Sequence, residues 1–246
     1  MENVREIARK IRSGLDRFEE AHFWIHTLEQ FYHYADPFRW HLNAFLKAIK
    51  EVPTMLRMEL QNEQGFPEWF RGETAKLREN DLLSFLSKQR DFVVHQGMLV
   101  PKSQGGIGVT EGRGFKAGFT LPIDPLMDSD EAMRRYLFVI SQDGKDSLDL
   151  LRADEESLPC VHRIWRLDAF EDEIVELAAK AWLQTGNTVG NVVRWLGGEP
   201  PDLQLNCRHS AQQVHFKMYD RKELKKEMKG IRKARQEHAA LEYERK

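Results

Sequence analysis

Arg90-Asp91-Phe92-Val93-Val94-His95-Gln96-Gly97 divides this chain into two regions of different character. Upstream, apolar residues recur at helical spacing almost without interruption. Val4, Ile7, Ile11, Leu15 and Phe18 form one face. Trp24, Leu28, Phe31 and Tyr32 continue it after an expected break near Gly14 or Ala21. Asp36-Pro37 is a helix start, a capping residue followed by proline at the first helical position. Phe38, Leu42, Phe45, Leu46 and Ile49 form the next stripe, which Pro53 is expected to kink or end before Met55-Leu56. Gly65-Phe66-Pro67 breaks the chain, and Trp69, Phe70, Leu77, Leu82, Phe85 and Leu86 lead as one helical run into Arg90. Residues 1–98 therefore read as a helical bundle with short connections.

Beyond Gly97 the breakers concentrate: Pro101, Gly105, Gly106, Gly108, Gly112, Gly114, Gly118 and Pro122. Short strands or extended segments are expected at Met98–Val100, Ile107–Thr110, Phe115–Leu121, Tyr136–Ile140, Val161–Leu167 and Gln213–Met218. Helices are expected at Phe170–Leu183 and Thr188–Leu196, the second stopped by Gly197-Gly198. Asp220 caps a charged helix to the C-terminus, with Leu224, Met228 and Ile231 as a narrow docking seam. The fold class is mainly α: a helical bundle over 1–98, an α+β extension over 99–219, and a charged helix over 220–246.

Composition narrows the function. With 37 basic against 39 acidic residues, the chain does not read as a DNA-coating protein. Cys160 and Cys207 are far apart, so no zinc ribbon is expected, and a reducing cytoplasm is the expected compartment. The N-terminus leads into no apolar signal core, and the longest apolar run, Tyr136–Ile140, is far too short to span a membrane.

Arg90 and His95 have four residues between them. A guanidinium clamps phosphate bidentately, and an imidazole moves protons near neutral pH. The same R-x4-6-H spacing recurs at Arg17/His22, Arg208/His215 and Arg232/His238, so spacing alone selects little. Positions five apart on a regular helix point about 140° away from each other, which favours a site shared by two chains of a homodimer. His22 and His26 lie one turn apart but lack the glutamate of a zinc-protease motif, and His33 follows. Asp124, Asp128 and Asp130 read as turn and cap residues among Pro122, Pro125 and Ser129. The glycine-rich segment carries Lys102, Arg113 and Lys116, which would make its hairpin an RNA-facing flap. No metal or other cofactor is expected.

Leu83-Ser84-Phe85-Leu86-Ser87-Lys88-Gln89, running into Arg90–Gly97, resembles the signature of the HEPN (higher eukaryote and prokaryote nucleotide-binding) superfamily. Phe38–Leu46 resembles core helices of some members. The resemblance covers about the first 100 residues. It implies a metal-independent endoribonuclease acting on single-stranded or loop RNA, with Arg90 and His95 as the catalytic pair and Asp91 as the flanking polar residue. It also implies a homodimer, and a toxin or defence effector with an antitoxin or nucleotidyltransferase partner. Gly97 stands where some toxin members carry a modified tyrosine, so that control is not expected. The alternative is a non-catalytic module of the same fold that binds a nucleotide or a protein.

Overall fold

The structure, a computed structural model, describes residues 2–111, 114–141, 157–200, 203 and 214–244. It is mostly helical, with a small four-stranded antiparallel sheet. The elements run α1 (Glu2–Lys10), α2 (Arg12–Gln30), α3 (Ala35–Leu60), α4 (Phe66–Glu79), α5 (Asp81–His95), β1 (Lys102–Glu111) and β2 (Gly114–Pro122). There follow α6 (Ser129–Ile140), β3 (Pro159–Arg166), α7 (Ile174–Trp195), β4 (Phe216–Met218) and α8 (Arg221–Glu244). No described helix is long and apolar enough to cross a membrane.

The chain divides into two compact units, the first formed by Met1–Phe31, Pro37–Pro101 and Arg166–His209. The division differs from one cut at residue 98, because the chain returns to the first unit through α7. That helix is apolar on most sides, with Ile174, Leu177, Ala178, Ala181, Val189 and Val192 all buried, so it needs a partner along its length. α2 supplies it: Phe18 stacks on Trp182 at 4.5 Å, and the Trp182 indole N–H donates to the Phe18 carbonyl at 3.0 Å.

Several local expectations are corrected in this unit. α2 has no break at Gly14 or Ala21; the interruption falls at Ile11, between α1 and α2. Gly14 is instead a close-approach residue, since a Cβ there would lie 2.5 Å from the Leu56 side chain. Beside it the Glu59 carboxylate of α3 accepts from the Ser13 and Gly14 backbone N–H groups at 2.5 and 3.0 Å, satisfying donors that the start of α2 leaves open. Pro53 lies inside α3, which continues to Leu60. The run from Trp69 to Arg90 is two helices, because Asn80 ends α4 and caps α5, its side chain accepting from the Leu83 N–H at 3.0 Å. Gly65, at φ 81°, makes the left-handed turn before α4. The helices expected at Phe170–Leu183 and Thr188–Leu196 are joined as one, α7, which begins only at Ile174 after the Glu173 cap and is followed by Gly197 at φ 78°.

The second unit comprises Tyr32–Asp36, Lys102–Trp165 and Ser210–Lys246. Its sheet has the order β2-β1-β3-β4, with β1 paired antiparallel to β2 from Gln104↔Pro122 to Glu111↔Gly114. Gly105 permits close strand contact, since a Cβ there would sit 2.0 Å from the His162 carbonyl oxygen. Tyr136–Ile140 is the end of helix α6 rather than a strand, because Asp128, Asp130 and Glu131 begin a helix that buries Ala132, Met133 and Leu137 at helical spacing. Met98–Val100 forms no strand. The expected seam of α8 is used within the unit: Leu224 and Met228 are buried with Ile107, Val161, Met133 and Leu137, and Ile231 packs against them.

A fully buried cation organises this unit. Arg163 donates to Ser103 Oγ at 2.9 Å, to the Met127 carbonyl at 2.7 Å and to the Asp124 carbonyl at 3.3 Å. Its guanidinium lies 3.7 Å from the centre of the Trp165 ring. Burial pulls its pKa down to about 10, with Tyr32, Asp128 and Asp124 opposing the shift, so it stays charged at neutral pH.

His33 is held neutral nearby. Its Nε2–H donates to the Val214 carbonyl at 2.9 Å, and Nδ1 accepts from the Ser129 hydroxyl at 2.8 Å. Burial lowers its pKa to about 3, with Lys217 and Arg163 adding to the shift and the Val214 bond opposing it. Unfolded, this imidazole takes a proton near its ordinary value of about 6.5; folded, it resists until about pH 3. Its stabilising contribution is therefore complete above about pH 6.5 and is lost progressively as the pH falls towards 3. Chemical denaturation between pH 6.5 and 4.5, above the carboxylate range, is expected to show stability falling with pH, and His33→Gln should remove much of that slope. A flat profile in the wild type would contradict this.

Candidate functional site: a basic cleft on three helices

Each of three helices of the first unit turns a polar face toward a common cleft. α3 contributes Lys50, Pro53, Thr54 and Arg57; α4 contributes Pro67, Phe70, Arg71, Thr74, Leu77 and Arg78; α5 contributes Leu83, Ser84, Leu86, Ser87 and Lys88. The intervals of three, four and seven residues place each set on one helical face. Lys50 and Arg57, and again Arg71 and Arg78, stand two turns apart, about 10 Å along their helices. Ile49, Phe70 and Leu86 are buried and make an apolar floor. The cleft has a volume of about 460 Å³, within the range of small-ligand sites.

Its charge is one-sided. Among the described residues five cations line the cleft and no carboxylate does, in a chain with more acidic than basic residues. Of the five, only Lys50 is ion-paired among the described residues: its Nζ meets Asp91 Oδ1 at 2.5 Å. The side chains of Arg57, Arg71, Arg78 and Lys88 have no hydrogen-bonded or ionic partner among the described residues, and all four are exposed. Thr54, Thr74, Ser84 and Ser87 add hydroxyls between the cations.

The residues singled out by sequence lie at one edge. Asp91 accepts from Lys50 and, at 3.2 Å, from Arg90. The Lys50 bond is the main cause holding the Asp91 carboxyl below its usual range, with burial opposing and the Arg90 bond assisting. Arg90 is half-buried, and its Nε has no hydrogen-bond partner. His95, the last residue of α5, is exposed. One uninterrupted helix carries both, so Arg90 and His95 are not brought to one face within a chain.

The matching of known families bears directly on this region. Residues 12–111 match the family model of bacteriophage lambda protein ea47. That span runs from α2 to the end of β1 and holds every cleft residue except Thr185. It also holds both stretches on which the HEPN resemblance rested, and the family that matches there is that of ea47, not HEPN; the HEPN assignment is therefore overturned. No curated protein and no solved structure matches the chain.

The other candidates lie apart from the cleft or outside the described residues. Lys102 and Lys116 lie on β1 and β2 of the second unit and line no part of the cleft; Lys116 pairs with Glu111 at 3.1 Å. Arg113, Arg208 and Cys207 lie outside the described residues. His22 stacks on Trp182, and His26 meets Glu29 at 3.4 Å. Asp128 accepts from the Ala35 N–H, Asp124 from the Leu126 N–H, and Asp130 binds Lys217 and Tyr219. No group of three potential metal ligands occurs among the described residues. Sequence reasoning passed over the cleft cations. Their signal was present as Lys50/Arg57 and Arg71/Arg78, each pair two turns apart.

Proposed function

We propose that the first unit is a binding module for phosphate-bearing ligands of the nucleotide class, seated in the basic cleft. The observation that carries this reading is the concentration of five cations without a carboxylate, four of them unpaired. Unpaired cations around an apolar floor form a costly arrangement in isolation, because like charges repel; an anion relieves the repulsion. Arginine forks match phosphate oxygens, and the apolar floor offers a surface for a base. The reading is tested by calorimetric titration with pyrophosphate and adenosine triphosphate at low and high salt. Binding that weakens steeply with salt supports it, and no binding at low salt removes it.

RNA cleavage is a second reading. It draws on Arg90, which adjoins the cleft through Asp91 and Lys50, and on the exposed His95 at the end of the same helix. His95 would move the proton of an attacking 2′-hydroxyl and Arg90 would steady the phosphate charge, with a homodimer bringing one chain's arginine to the other's histidine. Cleavage would then be insensitive to chelator and would fall by a factor of about 10² to 10⁴ in His95→Ala. Cleavage by that variant at the wild-type rate, or no cleavage of any RNA by the wild type, would remove this reading and leave the binding function.

A further inference from the structure

The cleft is one end of a longer track. Trp40, Lys47 and Thr54 of α3 are spaced by seven residues, so each stands about two turns beyond the last on nearly the same face. Thr54 lines the cleft. Lys47 is exposed, with no partner among the described residues. Trp40 is 61% exposed and Phe23 59%, so both rings present a face to solvent. Phe23 packs edge-on against Trp24 at 5.1 Å, and Trp24 stacks on His41, the neighbour of Trp40, at 5.5 Å. Burial lowers the His41 pKa, which disfavours a charge on this imidazole. Glu51, also on that side of α3, is answered by Arg17 at 4.0 Å.

An aromatic platform, a lone cation and a basic cleft thus follow one another along about 25 Å of a single helix from Trp40 to Arg57. Bases stack on exposed rings, and phosphates follow the cations. A duplex cannot use the rings, because its bases are already stacked. The hydroxyls of Thr54, Thr74, Ser84 and Ser87 can donate to and accept from a ribose 2′-hydroxyl, the group that distinguishes RNA from DNA.

We infer that the ligand is single-stranded RNA, its phosphates in the basic cleft and its bases on Trp40 and Phe23. This rests on the cleft being a phosphate site, so the test separates the two claims. Fluorescence anisotropy of the full chain is measured with a labelled uridine strand of roughly 16 nucleotides, with the matching DNA strand, and with duplex RNA. Pyrophosphate binding is measured in parallel. Phe23→Ala/Trp40→Ala alters only exposed rings and is expected to weaken RNA binding at least tenfold, in line with stacking losses of about 1–3 kcal/mol per base, while leaving pyrophosphate binding unchanged. The DNA strand and the duplex should bind more weakly than the RNA strand. Undiminished RNA binding by the double variant, or equal binding of duplex or DNA, overturns the inference while retained pyrophosphate binding keeps the cleft as a phosphate site. If the wild type binds neither RNA nor pyrophosphate, both claims fall.

Discussion

Replacing Arg57 and Arg71 together by glutamate is expected to weaken pyrophosphate binding by about a hundredfold or more. A unit pair about 4 Å apart is worth about 1 kcal/mol even in bulk water, and reversal converts each attraction into repulsion. Two reversals therefore cost about 4 kcal/mol before salt screening, and every 1.4 kcal/mol is about tenfold in affinity. The side chains are exposed and unpaired, so the fold loses no contact of theirs; removing like charges from the cleft should leave stability equal or slightly higher. Isothermal calorimetry at low salt gives the affinity, and thermal denaturation gives the control. Equal affinity in the variant would place the ligand elsewhere.

Arg163→Met is expected to have the largest effect on stability, about 3 kcal/mol or more. The substitution keeps an apolar chain of similar reach but strands the Ser103 hydroxyl and the Met127 and Asp124 carbonyls without their donor. It also removes the cation from the face of Trp165. Arg163→Lys retains the charge but not the planar fork that serves three acceptors at once, so it should recover only part of the loss. The expected readout is a large drop in the denaturation midpoint, followed by circular dichroism. An unfolding free energy within about 0.5 kcal/mol of wild type, the size of an ordinary surface substitution, would contradict the structural role given to this arginine.

Much of the helical half is legible in the sequence because its apolar stripes have the helical period and its ends carry recognisable caps. Gly65 and Gly197 act through local chemistry alone, whereas the Asn80 cap lies inside an apolar stripe whose period runs on across it. Misreadings arise where tertiary packing decides. Tyr136–Ile140 is a run of five apolar residues, and a run that short fits a strand as well as the end of a helix. Gly186 lies in the gap between the two helices expected at Phe170–Leu183 and Thr188–Leu196, yet a Cβ there would lie 2.5 Å from Leu203 and 2.9 Å from Phe18, so the glycine serves close packing inside a continuous helix. The candidate site follows the same division. The intervals Lys50/Arg57 and Arg71/Arg78 are local and visible, but the meeting of α3, α4 and α5 around one cleft is not. Arg90 and His95 drew attention through a spacing that recurs elsewhere in the chain, while the unpaired cations beside them belong to no named motif.

The most direct test is an amide NMR titration of the isotopically labelled protein with pyrophosphate. A phosphate site in the basic cleft predicts shifts concentrated at Lys50–Arg57, Arg71–Arg78 and Ser84–Lys88, with the second unit unmoved. Shifts centred on the β1–β2 hairpin or on α8, or no shifts at low salt, would contradict it.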